Sequence, residues 1–318
     1  MEEEILGILK ETSTGYVSGE EFSKKLGVTR ASIWKHMEIL RKIGYDIEAQ
    51  PHLGYRLVDI PDKLLSHEIT WNLKTRFVGK KVYSYGRIDS TNDRAYHLAE
   101  EGAAEGVVII GEQQLKGKGR MGRHWASPKG GIYFSIILRP KMMPTEVSKL
   151  TLIAAVSVAE TLRDVTGLNC LIKWPNDILI GRNKICGILT ELKAEQDATN
   201  FVILGIGINV NTRPSALPKH ATSVFKESGK DISRIHLLRM LLKNIENHYI
   251  LFKNNNFNAI IEEWKNLSAV LGKRVKITGK SKTIEGQAVD IDEGGALVVR
   301  LDSGLRERIV VGDVMLVR

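Results

Sequence analysis

Residues 107–125, VVIIGEQQLKGKGRMGRHW, leave few architectures open. A β-branched apolar run (VVII) feeds a loop that holds Lys116, Lys118, Arg120, Arg123 and His124, with Gly117, Gly119 and Gly122 set between them. Basic side chains bury only with partners, and glycines remove the side chains that would block close approach. The pattern describes a flexible loop at the end of a strand, able to fold over a small polyanion. A solvated basic turn is the plainer alternative. Trp125 tilts the balance towards a ligand, because an aromatic at the end of such a loop offers a face to a flat or apolar ring.

Gly117, Gly119 and Gly122 match the dinucleotide fingerprint G-x-G-x-x-G, and a strand precedes them. That fingerprint also needs a helix opening at the third glycine and an acidic residue roughly 20 positions on. Residues 125–131 instead read W-A-S-P-K-G-G, a turn-like run, and position 142 is Met142. A Rossmann site is therefore excluded. No G-x-x-x-x-G-K-[ST] occurs, so a P-loop is excluded as well.

The 318 residues suffice for two or three domains. With 43% hydrophobic and 26% charged residues the composition is that of a globular protein. The two cysteines, Cys170 and Cys186, have no metal-ligand spacing, which points to a reducing cytoplasm. Cys186 lies in an apolar strand and reads as packing rather than as a nucleophile. The acidic start MEEEIL lacks a signal-peptide pattern, and no apolar run reaches about 18 residues, so neither export nor a membrane span is expected. A net charge of +9 permits a nucleic-acid partner without requiring one.

Residues 1–62 form a first unit. Ser18-Gly-Glu-Glu21 is a capping box for a helix ending near Gly27, and Thr29 caps a second helix with Ile33, Met37, Leu40 and Ile43 on one face and Gly44 as its stop. A hairpin over residues 45–58 adds a wing. The pattern is a winged helix-turn-helix, whose outward residues Arg30, Ser32, Lys35 and His36 suit bases and phosphates of operator DNA. A three-helix interaction module without DNA contact is the alternative. Residues 59–62 read as a linker.

Beyond the linker, residues 82–85 read as a strand leading to Ser90, Thr91 and Asn92, which on their own are a helix N-cap. Residues 131–138 form a strand that could pair across a two-fold axis if it lies at a sheet edge. Thr145 is expected to cap a buried helix running through Val165. Residues 173–177, K-W-P-N-D, precede a hairpin whose second strand opens at Lys184, by itself a surface lysine. Residues 201–210 form a strand with glycines where something approaches the backbone, and residues 232–267 read as helical. Five short strands from Gly272 onward suggest a small SH3-like barrel without a catalytic constellation.

The loop GKGRMGR of residues 117–123 together with KWPND of residues 173–177 resembles the biotin protein ligases, whose loop reads G-R-G-R-x-G-R. Lys118 stands where the family usually has arginine, so a point charge replaces a planar fork. The resemblance covers nearly the whole chain. It implies an α+β protein: a winged helix-turn-helix repressor domain (1–62), a central mixed α/β catalytic domain (63–270) and an SH3-like C-terminal domain (271–318). It implies ATP-dependent activation of biotin to biotinyl-5′-AMP and transfer to a lysine of a biotin carboxyl carrier protein. Arg120, Lys184 and Lys173 are then the catalytic candidates. Ser90, Thr91, Asn92, Gln114, Gly117, Lys118, Gly119, Arg120, Lys184 and Gly187 are candidates for biotin, and Arg123, Trp125, Asn176, Asp177 and Asn209 for the nucleotide. Mg²⁺ would accompany ATP, through Asp177 if through any side chain. A homodimer is expected when the adenylate is bound. Lipoyl or octanoyl transfer on the same fold, and a non-catalytic ligand-sensing transcription factor, remain the alternatives.

Overall fold

The Ser18 hydroxyl accepts from the backbone N–H of Glu21 (3.1 Å), and the Thr29 hydroxyl from that of Ser32 (3.2 Å). In the computed structural model, which describes residues 1–12, 15–195, 198–279 and 282–317, these two caps begin the helices of the first unit, residues 1–63. Its elements are α1 (Glu2–Glu11), α2 (Gly19–Leu26), α3 (Arg30–Ile43), β1 (Asp46–Gln50) and β2 (Gly54–Asp59). Gly27 and Gly44 end α2 and α3 in the left-handed region. Ile5, Leu6 and Leu9 of α1 join Phe22, Ile33, Met37 and Leu40 in the core. The acidic start of the chain is thus an amphipathic helix, which sequence analysis had not assigned. β1 and β2 pair antiparallel as the wing. At the wing's turn a Cβ on Gly54 would lie 2.1 Å from the Val17 carbonyl oxygen, so only glycine fits where the wing crosses the segment before α2.

The second unit, residues 64–318, holds two sheets. Its elements before the C-terminal sheet are α4 (Ser66–Thr70), β3 (Val82–Tyr85), α5 (Thr91–Glu100), β4 (Val108–Gly111), β5 (Ile132–Leu138), α6 (Ser148–Thr166), β6 (Cys170–Lys173), β7 (Asp177–Ile180), β8 (Asn183–Glu195), β9 (Ala198–Ile208), α7 (Val224–Ser228), α8 (Arg234–Lys253) and α9 (Phe257–Asn266). The larger sheet runs β3-β4-β5-β9-β8-β7-β6, parallel at β3–β4 and antiparallel elsewhere. Ala95, Leu98 and Ala99 of α5 pack on Ile109, Ile137 and Ile203 of the sheet. α6 is buried along most of its length and packs against α8, α9 and β6–β8.

Three expectations are corrected by this fold. β5 is not an edge strand: β4 and β9 pair with its two sides and every residue of it is buried. Edge pairing across a two-fold axis through β5 is therefore ruled out, and the sheet's edges are β3 and β6. Thr145 caps nothing; it lies in a short 3₁₀ turn, Pro144–Glu146, and α6 begins at Ser148 without a side-chain cap. The helical stretch 232–267 is two helices, separated where Asn255 takes a positive φ of 58°.

The C-terminal module contains β10 (Arg274–Thr278), β11 (Thr283–Ile291), β12 (Leu297–Arg300), β13 (Arg306–Ile309) and β14 (Asp313–Leu316), paired antiparallel in the order β13-β12-β11-β10-β14. This is the SH3-like unit. No helix among the described residues is long and apolar enough to cross a membrane.

Candidate active site and DNA-binding surface

Glycines form the floor of a cavity of about 140 Å³ in the larger sheet. Gly187 of β8 and Gly207 of β9 are cross-strand partners, and Gly205 pairs with Leu189. Each glycine is demanded by what lies over it. A Cβ on Gly205 would come within 2.0 Å of Asn92 Oδ1, and one on Gly207 within 2.3 Å of Trp125 Nε1. One on Gly187 would lie 2.9 Å from the Trp125 ring and 3.2 Å from Lys184 Nζ.

The basic loop is more ordered than its glycines suggest. The Trp125 N–H donates to Gly117 O (2.8 Å) and the Gly119 N–H to Arg123 O (2.7 Å), while Lys118 and His124 form an antiparallel bridge. The loop is therefore a short two-stranded arm with a 3₁₀ turn, Arg120–Gly122, at its tip. Gly117 does not line the cavity; it lets the arm close, because a Cβ there would sit 2.4 Å from the Trp125 carbonyl oxygen.

One end of the cavity carries neutral hydrogen-bonding groups. Ser90 caps α5 by accepting from the Asp93 N–H (3.3 Å). Thr91 donates through its N–H (2.8 Å) and its hydroxyl (3.0 Å) to Gln114 Oε1. The Ser135 hydroxyl, fully buried on β5, reaches Thr91 Oγ1 (2.8 Å) and Asn92 Oδ1 (2.6 Å), and Asn92 Nδ2 donates to Glu191 Oε2 (2.6 Å). Ser135 and Glu191 were missed in the sequence. The only signal for Ser135 was a polar residue inside an apolar run, and Glu191 in LTELKAE carried none. Lys118 pairs with Asp93, with Glu191 3.8 Å away, and its hydrogen bond to Asp93 raises its pKa.

The other end is cationic. Arg120 Nη1 donates to Asn176 Oδ1 (3.2 Å) and Gly312 O (3.4 Å) and lies 3.8 Å from Asp313. Burial pulls its pKa below the ordinary guanidinium value, opposed by Asp313 and Asp177. Arg123 donates to Asp313 and has its pKa raised by that bond. Lys184 Nζ stands 5.1 Å above the centre of the Trp125 ring and 2.5 Å from Asp177 Oδ1, too poorly aligned there for a hydrogen bond. The indole N–H of Trp125 is buried without a hydrogen-bond partner among the described residues. Asp313, from β14, shows that the C-terminal module does contribute to this cavity, which sequence analysis had denied it.

Most of the residues picked from the sequence meet in this one place: Ser90, Thr91, Asn92, Gln114, Lys118, Gly119, Arg120, Arg123, Trp125, Asn176, Asp177, Lys184 and Gly187 all line it. Lys173 and Asn209 do not. Lys173 ends β6 half-buried opposite Asp177. Asn209 is buried and donates to Thr222 O (3.0 Å), bracing the chain beyond β9. Both cysteines are buried; burial pushes Cys170 up to about 12 and Cys186 higher still, which suits packing rather than nucleophilic attack.

In the first unit, Lys35 is exposed on α3, and Ser32 lies at its first turn. Arg30 is paired with Glu20 (2.9 Å), and His36 is turned towards α1, where its Nδ1 meets Glu2 (3.1 Å).

Fold and site together define a ligase-type catalytic domain carrying a winged helix-turn-helix. Residues 85–209 match the Biotin/lipoate A/B protein ligase family, residues 2–56 an HTH domain, and residues 270–317 the Biotin protein ligase C terminal domain. The chain is 36% identical over 312 residues to the bifunctional ligase/repressor BirA of Bacillus subtilis, covering 96% of each chain. To its Escherichia coli counterpart it is 32% identical, covering 90% of this chain and 88% of the other. Among solved structures, the biotin protein ligase of Aquifex aeolicus in complex with biotin and ATP superposes with a TM-score of 0.66 at 32% identity, over 75% of this chain and 99% of that one. The chain belongs to the bifunctional ligase/repressor family of biotin protein ligases.

Proposed function

We propose that this chain activates biotin with ATP, transfers it to a lysine of a biotin carboxyl carrier protein, and represses transcription in response to biotin. The observation that carries the substrate assignment is the buried neutral end of the cavity. Ser90, Thr91, Asn92 and Gln114 offer both donors and acceptors, matching a ureido ring with its two N–H groups and one carbonyl. A dithiolane or an octanoyl chain would offer those polar groups no hydrogen-bonding partner. This weighs against lipoyl or octanoyl transfer.

At the cationic end the biotin carboxylate attacks the α-phosphate of ATP, pyrophosphate leaves, and biotinyl-5′-AMP remains. Two anions must approach one another, so Arg120 and Lys184 stabilise the charge that develops on the phosphoryl group. Arg123, Asn176 and Trp125 hold the nucleotide. The acceptor amine then attacks the anhydride carbonyl and AMP departs, with Asp177 placed to receive the amine's proton. Lys173, Gly117 and Asn209 support the site from behind. Among the described residues no three His, Cys, Asp or Glu groups converge on a metal position. Mg²⁺ would arrive on the ATP phosphates, and Asp177, a carboxylate lining the cavity, is the side chain that would hold it.

The winged helix binds operator DNA through α3, as a homodimer favoured by the adenylate, since two half-sites need two copies. Biotin-dependent exchange of labelled pyrophosphate into ATP, run beside the same assay with lipoate, tests the enzyme. Exchange with lipoate alone would replace biotin by lipoate, and no exchange with either would favour a non-catalytic sensor.

A further inference from the structure

Helix α3 turns Ile33, Met37 and Leu40 into the core and so presents Arg30, Ala31, Trp34 and Lys35 to solvent. Trp34 is 55% exposed. No hydrogen bond or ring contact engages it among the described residues. An indole is costly to leave in water, since aromatic side chains carry the largest apolar area of any residues. Two of the polar residues expected to meet DNA are, by contrast, already engaged by carboxylates: Arg30 by Glu20 and His36 by Glu2. The first turns of a recognition helix are the part that reaches base edges, and Trp34 lies in the second turn, between Arg30 and Lys35.

We propose that Trp34 is a specificity-determining residue of the DNA-binding module, its indole lying against the 5-methyl group of a thymine in the major groove. The inference rests on α3 being the recognition helix. An indole has one N–H donor and no acceptor, so it reads hydrogen-bonding base edges poorly. The thymine methyl is the one apolar feature that groove displays. Cytosine at the same position offers a polar amino group instead, so the contact separates T from C. The exposed ammonium of Lys35 beside it favours a polyanionic partner for this face over another protein surface.

The test uses the full chain with biotin and ATP. A library of random-sequence duplexes is selected on it, and each thymine of the recovered duplex is replaced in turn by deoxyuridine, which deletes only the methyl group. At one thymine per half-site the replacement should weaken binding about fourfold, the factor for about 0.8 kcal/mol of lost burial. Trp34→Ala should bind the parent duplex more weakly and no longer distinguish thymine from deoxyuridine there. Its salt dependence should match that of the parent chain, because no phosphate contact is lost. Trp34→Phe should keep the discrimination, which covers the case of an alanine variant that folds poorly. Trp34→Ala binding as tightly as the parent chain, or still sensing the methyl, overturns the proposal while leaving α3 as the recognition helix. A chain that enriches no duplex overturns both.

Discussion

The guanidinium of Arg123 donates to the carboxylate of Asp313, 190 residues further along the chain. The C-terminal module thereby pins the tip of the basic arm, and Arg120 lies 3.8 Å from the same carboxylate. We predict that Asp313→Ala loosens the arm. Trypsin cleavage after Arg120 and Arg123 in the ligand-free protein should accelerate by up to about fivefold, the factor for an exposed pair worth up to about 1 kcal/mol. Biotin with ATP should restore protection, and an unchanged cleavage rate would show that the pair does not anchor the arm.

Arg120 is the most buried cation of the loop, held by Asn176 and the Gly312 carbonyl. Arg120→Ala should keep the fold, as judged by circular dichroism, and lose about 2.7–4 kcal/mol of transition-state stabilisation, a drop of about 100- to 1000-fold in pyrophosphate exchange. Normal exchange by a folded variant would remove Arg120 from the chemistry.

Gly207→Ala should force Trp125 off the floor, since the new methyl would meet its indole nitrogen. Overpacking of this kind costs about 1–3 kcal/mol. Thermal unfolding should register that loss. The double variant Trp125→Ala/Gly207→Ala should show almost none of it relative to Trp125→Ala. A full loss in both backgrounds would mean that the glycine serves the backbone rather than the ring.

Between α6, α8 and α9, burial and then the neighbouring Glu263 and Asp164 raise Glu160 to about 7; His248 Nε2 lies 3.4 Å from it. Burial lowers the pKa of His248, so it adds little positive charge there near neutrality. The folded chain holds the Glu160 proton more tightly than the unfolded chain does. This contribution to stability is therefore complete below the unfolded value and lost as pH rises through the folded one. Glu160→Gln, which imitates the protonated side chain, should be more stable than the parent chain at about pH 8, by about 1–3 kcal/mol after solvent screening. The difference should nearly vanish at about pH 4, below the ordinary carboxyl value of the unfolded chain. Equal melting temperatures at the higher pH would show that Glu160 is not strained by ionisation.

The features legible in the sequence were local ones. Ser18, Thr29 and Ser90 cap helices through backbone groups three residues on, so spacing alone exposed them. Ser135, Glu191 and Asp313 were hidden because strand pairing brings the first two against Thr91 and Asn92 and a separate module brings Asp313 to the cavity, and no short pattern encodes that. The interior position of β5, which leaves the condition for edge pairing unmet, was legible as well. IYFSIIL is almost unbroken in apolar character, as an interior strand should be, whereas an edge strand with one solvated face alternates. The α1 helix was likewise announced by Ile5, Leu6 and Leu9 at helical spacing.

A cavity floored by Gly187, Gly205 and Gly207 has no side chains underneath to exchange. Any attempt to redesign the cavity for a bulkier or smaller acid must therefore work from the rim, through residues such as Asn92, Gln114, Trp125 or Leu189. Enlargement from below is closed, since glycine is already the smallest residue. Diversity in what such a protein accepts is confined to its walls, and a library randomised at the floor would return mostly inactive clones.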